Sequence, residues 1–276
     1  MASAIRILRR RFDTLESAPQ TLIDDLPKFQ GQFEKQVNEL LKRLSTKGGK
    51  IVWDKNTAKA LNLIEQGIRD YVHKSPYRSA VTEFLTSFDT IKKANVEYFR
   101  AASGFDAAKL NLNLLQEQAM DAVNYNLVDN GLDARFTQPI KDILRGGAAS
   151  GQSVVEAERL LDEFIMGSKG ELGFFERYVP QIAHDSIGQY DGMIQTQVKI
   201  EFGLNAWSYE GSLIKTSRPQ CIRWVGKGII KEKNLESEIA WAFTNGSGMI
   251  PSTDAATFGV NRGGFRCRHR ATAIKV

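Results

Sequence analysis

Residues 29–44 read FQGQFEKQVNELLKRL, and the spacing of their apolar side chains decides the class of fold. Phe29, Phe33, Val37, Leu40, Leu41 and Leu44 recur at steps of three and four, while Lys35, Glu39 and Lys42 fall on other faces. A chain turning every 3.6 residues gathers such positions into one stripe, so the segment predicts an amphipathic helix that buries this stripe. The same texture continues on both sides of the Lys47-Gly48-Gly49 stop. Ala58, Leu61, Ile64, Ile68, Tyr71 and Val72 form a second stripe, and Val81, Phe84, Leu85, Phe88 and Ile91 a third. Ser75 can cap that third helix, with Pro76 at the first helical position, where a missing N–H costs nothing.

Leu110, Leu114, Leu115 and Val123 suggest another helix, closed by the Asp129-Asn130-Gly131 turn. Ser153 and Glu156 have capping-box spacing ahead of Leu160, Leu161 and Phe164. A loop with Gly167, Gly170 and Gly173 follows, and a last long helix is expected from about Pro180 through Ile187, Ile194 and Val198 to Gly203. After Gly203 the pattern shortens. Trp207 and Tyr209 alternate with polar residues, and a hairpin over 206–214 is expected. Pro219 should open a helix, residues 234–243 should form another, and 265–274 should close as a strand. The expectation is a mainly α protein: an elongated helical region over 1–203 and a small α+β module over 204–276.

Composition narrows the function classes. The chain has 276 residues, 42% hydrophobic and 25% charged, which suits a packed globular protein. No apolar run approaches a membrane span, and MASAIRILRRRF lacks the apolar stretch of a secretory signal, so synthesis in the cytoplasm without membrane association is expected. That opening reads either as a basic amphipathic arm or as a solvated, partly frayed terminus. Two cysteines, Cys221 and Cys267, are too few for a disulfide framework.

The net charge of +5 is uneven. Residues 211–276 hold 11 Lys and Arg against 4 Asp and Glu, leaving 26 against 28 for the rest. Such an imbalance points to a polyanion or an acidic protein surface near the C-terminal part, or to a surplus of solvated lysines. Arg262, Arg266, Arg268, Arg270 and Lys275 are the candidate cationic surface. On a strand, Arg266, Arg268 and Arg270 would share one face, opposite Phe265, Cys267 and His269. Cys267 and His269 would then share a face too, and with Cys221 could hold zinc, His184 or Asp254 supplying a fourth ligand. The alternatives are cysteines packing as small hydrophobes or forming a disulfide.

Signatures of common enzymes are missing. There is no HExxH, no Ser/His/Asp set in recognisable context, and Gly226-Lys227-Gly228 lacks the upstream glycine of a phosphate-binding loop. Glu236-Ser237-Glu238 matches the Glu-x-Glu of ADP-ribosyltransferases but stands at the start of an expected helix, where negative charge offsets the dipole. No catalysis is expected, and no resident cofactor apart from the zinc option.

One ordered set of motifs resembles a known family. A helix with Gln189-Tyr190-Asp191 is followed by Tyr209-Glu210-Gly211-Ser212-Leu213-Ile214, then Thr216-Ser217-Arg218-Pro219-Gln220-Cys221, then Gly263-Gly264-Phe265-Arg266-Cys267-Arg268-His269. This series resembles the C-terminal domain of Mu F-like phage head-morphogenesis, or minor capsid, proteins. The resemblance covers about the last third of the chain. It makes Ser217, Arg218, Pro219, Cys221, Gly264, Cys267 and His269 the structural motif. Apart from the resemblance, the planar fork of Arg218 could tie its turn to a carboxylate or to strand carbonyls, with a phosphate contact as the functional alternative. Many members end in a Cys-Arg-Cys-like element, whereas this chain has Cys-Arg-His. The resemblance implies a minor head protein at the portal vertex of a virion, with the portal protein and major capsid protein as partners. The alternative is a DNA-binding or DNA-ejection accessory inside the head, touching packaged double-stranded DNA.

Overall fold

The computed structural model describes residues 2–276. Helices α1 (Ala2–Asp24) and α2 (Leu26–Leu41) lead into a two-stranded turn, β1 (Thr46–Lys47) and β2 (Lys50–Ile51). Then come α3 (Lys55–Lys74), α4 (Pro76–Ser103), a 3₁₀ turn (Ala107–Lys109), α5 (Leu112–Leu127) and α6 (Asn130–Leu132). A π turn (Asp133–Thr137) carries the chain into α7 (Gln138–Ser150), which is followed by α8 (Val154–Met166), β3 (Gly167–Ser168) and β4 (Glu171–Leu172). The remainder is α9 (Phe174–Glu201), β5 (Ala206–Glu210), α10 (Pro219–Lys227), β6 (Ile229–Lys231), α11 (Glu232–Asn245), α12 (Phe258–Asn261) and β7 (Arg270–Ile274). The protein is thus mainly α, with one small three-stranded sheet near its C-terminal end.

The chain forms two compact units. One contains the residues up to Pro19, Thr86–Asp121 and Ala183–Val276, and the other Gln20–Leu85 and Ala122–Ile182. Residues 204–276 lie in the first, together with the later parts of α4 and α9.

In the second unit the stripes fold as their spacing predicts, except that α2 ends at Leu41 and Leu44 follows it in a turn. Phe29, Phe33, Val37 and Leu41 of α2 are buried, as are Leu61, Ile64, Ile68 and Val72 of α3. Phe136 sits among Phe33, Phe164, Phe174 and Phe175, with ring centroids 4.6 to 5.7 Å apart. Asp54 caps α3 by accepting from the Asn56 and Thr57 amides at 2.9 and 2.8 Å. Ser75 accepts from the Tyr77 amide at 3.1 Å where α4 begins, and Ser153 from the Glu156 amide where α8 begins.

Four sequence expectations require correction. The N-terminal segment is neither an arm nor a frayed end: α1 buries Leu15 and the whole of Arg11. Helix α9 starts at Phe174, six residues before Pro180, because Phe174, Phe175, Tyr178 and Val179 are all buried. Their burial offsets the hydrogen bond that proline cannot make to the preceding turn. The hairpin over 206–214 does not form. Gly211, at φ +148°, turns the chain aside, Leu213 and Ile214 are exposed, and β5 pairs instead with β6 and β7. The closing strand begins only at Arg270, since Gly264 and Arg266 take positive φ and fold 262–266 into turns.

Candidate functional site

The sheet order β6-β5-β7, antiparallel throughout, makes β5 the central strand. Its register pairs Tyr209 with Ala271 and Glu210 with Arg270, which brings His269 beside Gly211. A Cβ on Gly211 would lie 2.6 Å from the His269 ring, so the close approach requires glycine. The imidazole stacks on the Tyr209 ring, with centroids 5.7 Å apart and planes 17° apart, and Trp224 meets Tyr209 edge-on at 5.3 Å.

Helix α10 supplies the second wall. Its first residue is Pro219, the N-capping position is Arg218, and the Ser217 hydroxyl accepts from the Ile214 amide at 2.8 Å. Arg218 donates to the Gly263 carbonyl at 2.8 Å and also to the Phe265 carbonyl. Of the partners anticipated for it, a carboxylate, carbonyls or a phosphate, it takes carbonyls within the fold. Gln220 adds bonds to the carbonyls of Ser247 at 2.7 Å and Gly263 at 3.0 Å. Gly264, at φ +99°, passes so close to the Gly248 carbonyl that no side chain fits. Three loops are thereby fastened around the start of one short helix.

Inside this fastening the two cysteines meet. Cys221 Sγ lies 3.9 Å from Cys267 Sγ, and the Tyr209 hydroxyl is 3.7 Å from the first and 3.4 Å from the second. His269 Nδ1 is 3.7 Å from Cys267 Sγ. All four side chains are buried. Cys221, Cys267 and His269 form a group whose ligand atoms all lie within 4.8 Å of one another. His184 and Asp254 do not belong to it. Asp254 is exposed and accepts from the Thr257 amide, whereas burial, then Arg268 and Arg270, push His184 down to about 4. The hydrogen bond from Cys221, helped by His269 and the Arg262 charge, holds Cys267 well below the usual thiol range despite its burial. The same hydrogen bond, with burial, pushes Cys221 up.

The arginines divide. Arg266, Arg268 and Lys275 are exposed, whereas Arg262 and Arg270 are 2% and 5% exposed, so the expected row of arginines on one strand face does not exist. Arg262 donates to the Gly188 carbonyl, where the absence of a Cβ leaves room for its guanidinium. Arg270 donates to the His269 carbonyl at 3.3 Å, and burial, then Arg262, push it down to about 10.

A polar network missed by sequence reasoning lies in the same unit. Arg11 grips Asp191 through two bonds of 2.8 and 2.6 Å, and also reaches the Thr272 hydroxyl. Asn95 donates to Asp191 at 2.9 Å and accepts from Gln195, whose carbonyl oxygen takes the Ala273 amide of β7 at 2.9 Å. Burial pushes Asp191 up, but the charge and hydrogen bonds of Arg11, with Asn95, hold it below the ordinary carboxylate range. One signal was present: Asp191 and Gln195 stand on the stripe of Ile187, Ile194 and Val198, so a carboxylate falls on the buried face. Glu238, from the Glu-x-Glu match, is buried and paired with Arg223 and Lys227.

No family model, no curated protein and no solved structure matches the chain.

Proposed function

We propose that the chain is a minor head protein of a tailed bacteriophage, a structural virion component that works at the portal vertex during procapsid assembly in the host cytoplasm. One observation carries the reading. The Ser-Arg-Pro-x-Cys segment and the Gly-Gly-Phe-Arg-Cys-Arg-His segment, whose ordered pairing underlies the resemblance to the Mu F-like family, fold against each other around one buried centre. Within these segments Arg218 and Gln220 fasten loops, and Cys221, Cys267 and His269 are buried; beside them Arg262 and Arg270 are buried and Glu238 pairs with two cations. Side chains used in this way hold shape, which suits a building block better than a catalyst.

The partners under this reading are the portal protein and the major capsid protein. Co-expression with each from the same genome tests it. The expected result is copurification with the portal protein and incorporation into procapsids, and absence from both overturns the assignment. Retention of double-stranded DNA that weakens steeply with salt, and weakens further in an Arg266→Ala, Arg268→Ala double variant, would favour the DNA-ejection role instead.

A further inference from the structure

We propose that Cys221, Cys267 and His269 bind one zinc ion as a structural site, with the Tyr209 hydroxyl at the fourth vertex. The proposal stands independently of the role in the phage head. Zinc takes thiolate sulfur at about 2.3 Å and imidazole nitrogen at about 2.0–2.1 Å in a tetrahedron, which sets ligand-to-ligand edges of about 3.8 Å between sulfurs and about 3.6 Å between sulfur and nitrogen. The corresponding separations are 3.9 Å for Cys221 to Cys267 and 3.7 Å for Cys267 to His269 Nδ1. Tyr209 Oη, at 3.7 and 3.4 Å from the two sulfurs, has the spacing of a remaining vertex.

The ligand atoms of Cys221, Cys267 and His269 all lie within 4.8 Å of one another; such closeness could arise from ordinary packing, but two further features argue against that here. The donors come from three separate pieces of chain: the central strand β5, helix α10 and the loop before β7. Each is fixed by its own bonds, so the convergence does not follow from local sequence. Gly263 then backs the cluster: a Cβ there would press on Cys221 Sγ and stand 2.9 Å from both Cys267 Sγ and Tyr209 Oη. The backbone has been brought against the donor set at a point where any side chain would disturb it.

Two thiolates and a neutral imidazole balance the charge of a divalent zinc ion, leaving no net charge to bury. Zinc takes both sulfurs as thiolates, so any proton that they still carry leaves on binding. The site would tie β5, α10 and the 262–269 loop together, performing with one ion the work that a larger core does elsewhere.

The test uses the full chain purified without chelators. Metal analysis should find one zinc per chain, and replacement by cobalt should give the intense visible bands of a tetrahedral thiolate complex. Cys267→Ser and His269→Ala should each abolish the stoichiometric metal. His184→Ala and Asp254→Ala, outside the cluster, should leave one zinc per chain. Tyr209→Phe should keep the thiolate-to-cobalt band while weakening binding by about tenfold. If the Cys variants fail to fold, cobalt titration of the reduced wild-type chain decides by itself. Absence of metal together with absence of tetrahedral cobalt bands overturns the proposal, as does recovery of a Cys221–Cys267 disulfide from protein kept anaerobic throughout.

Discussion

The unit formed by Gln20–Leu85 and Ala122–Ile182 is held chiefly by rings and aliphatic stripes, whereas the unit containing the C-terminal segment also buries a connected set of charged and amide side chains. In the former, Phe33, Phe136, Phe164, Phe174 and Phe175 pack in mutual contact, and an ion pair such as Lys141–Glu65 keeps some access to solvent. In the latter, Arg11 and Asp191 are withdrawn from water almost completely. Apolar packing is tolerant, since another side chain of similar volume costs little. A buried ion pair is not tolerant of losing one partner, since the survivor has neither water nor counter-charge. The comparison predicts that the two units fail under different insults.

The largest effect should come from Asp191→Ala, which strands the Arg11 guanidinium and removes an acceptor from Asn95. A loss of about 3–5 kcal/mol is expected from equilibrium denaturation. Replacing both partners, Arg11→Met with Asp191→Leu, should recover a large part of that loss, because a buried pair contributes less than its broken half costs. A double variant as unstable as the single one would show that the network does more than neutralise itself.

Acid should separate the units next. Hydrogen bonds from Arg223, then Lys227, hold Glu238 down to about 2 despite its burial, and Asp191 is also held below its ordinary value. Because both carboxylates have lower values folded than unfolded, their stabilisation is complete above the unfolded carboxylate range near 4 and is lost as pH falls toward 2. Trp207 and Trp224 are buried in the same unit and report on it, whereas Trp53, in the other unit, is exposed. Their emission should shift red over that window while amides of α3 and α8 remain protected from exchange. Simultaneous loss of both signals would contradict the contrast.

What was legible in the sequence follows the same division. The stripes of α2, α3 and α4 could be read because periodicity is local information, and so could the Ser75 and Ser153 caps and the Pro219 start of α10. The approach of Cys221 to Cys267 was anticipated only as an option, through motif order. The Arg11–Asp191 pair was not legible, since nothing near either residue names a partner 180 positions away. Tyr209 is legible as an alternating strand residue and as part of the motif series, but not as a neighbour of the cysteines, because that place depends on the register of β5 with β7. The arginine row failed for a related reason: alternation holds only while the backbone stays extended, and Arg266 at φ +57° does not.

Smaller effects should appear where the second unit can adjust. Phe136→Leu removes one ring from the cluster while keeping an apolar side chain, and about 1–2 kcal/mol is expected, with the fold retained. Asp54→Ala tests a feature at the surface of the same unit. The carboxylate there satisfies two amides that α3 cannot satisfy itself, and both bonds hold it below its ordinary value. Water can replace one acceptor for those amides at little penalty, so the loss should be the smallest of the series, a slight fall in the denaturation midpoint. Asp54→Asn should recover most of it by preserving the acceptor without the charge, as measured by the shift in denaturation midpoint. Equal losses for the two variants would mean that attraction between the carboxylate and the helix dipole, and not the capping bonds, sets the start of α3.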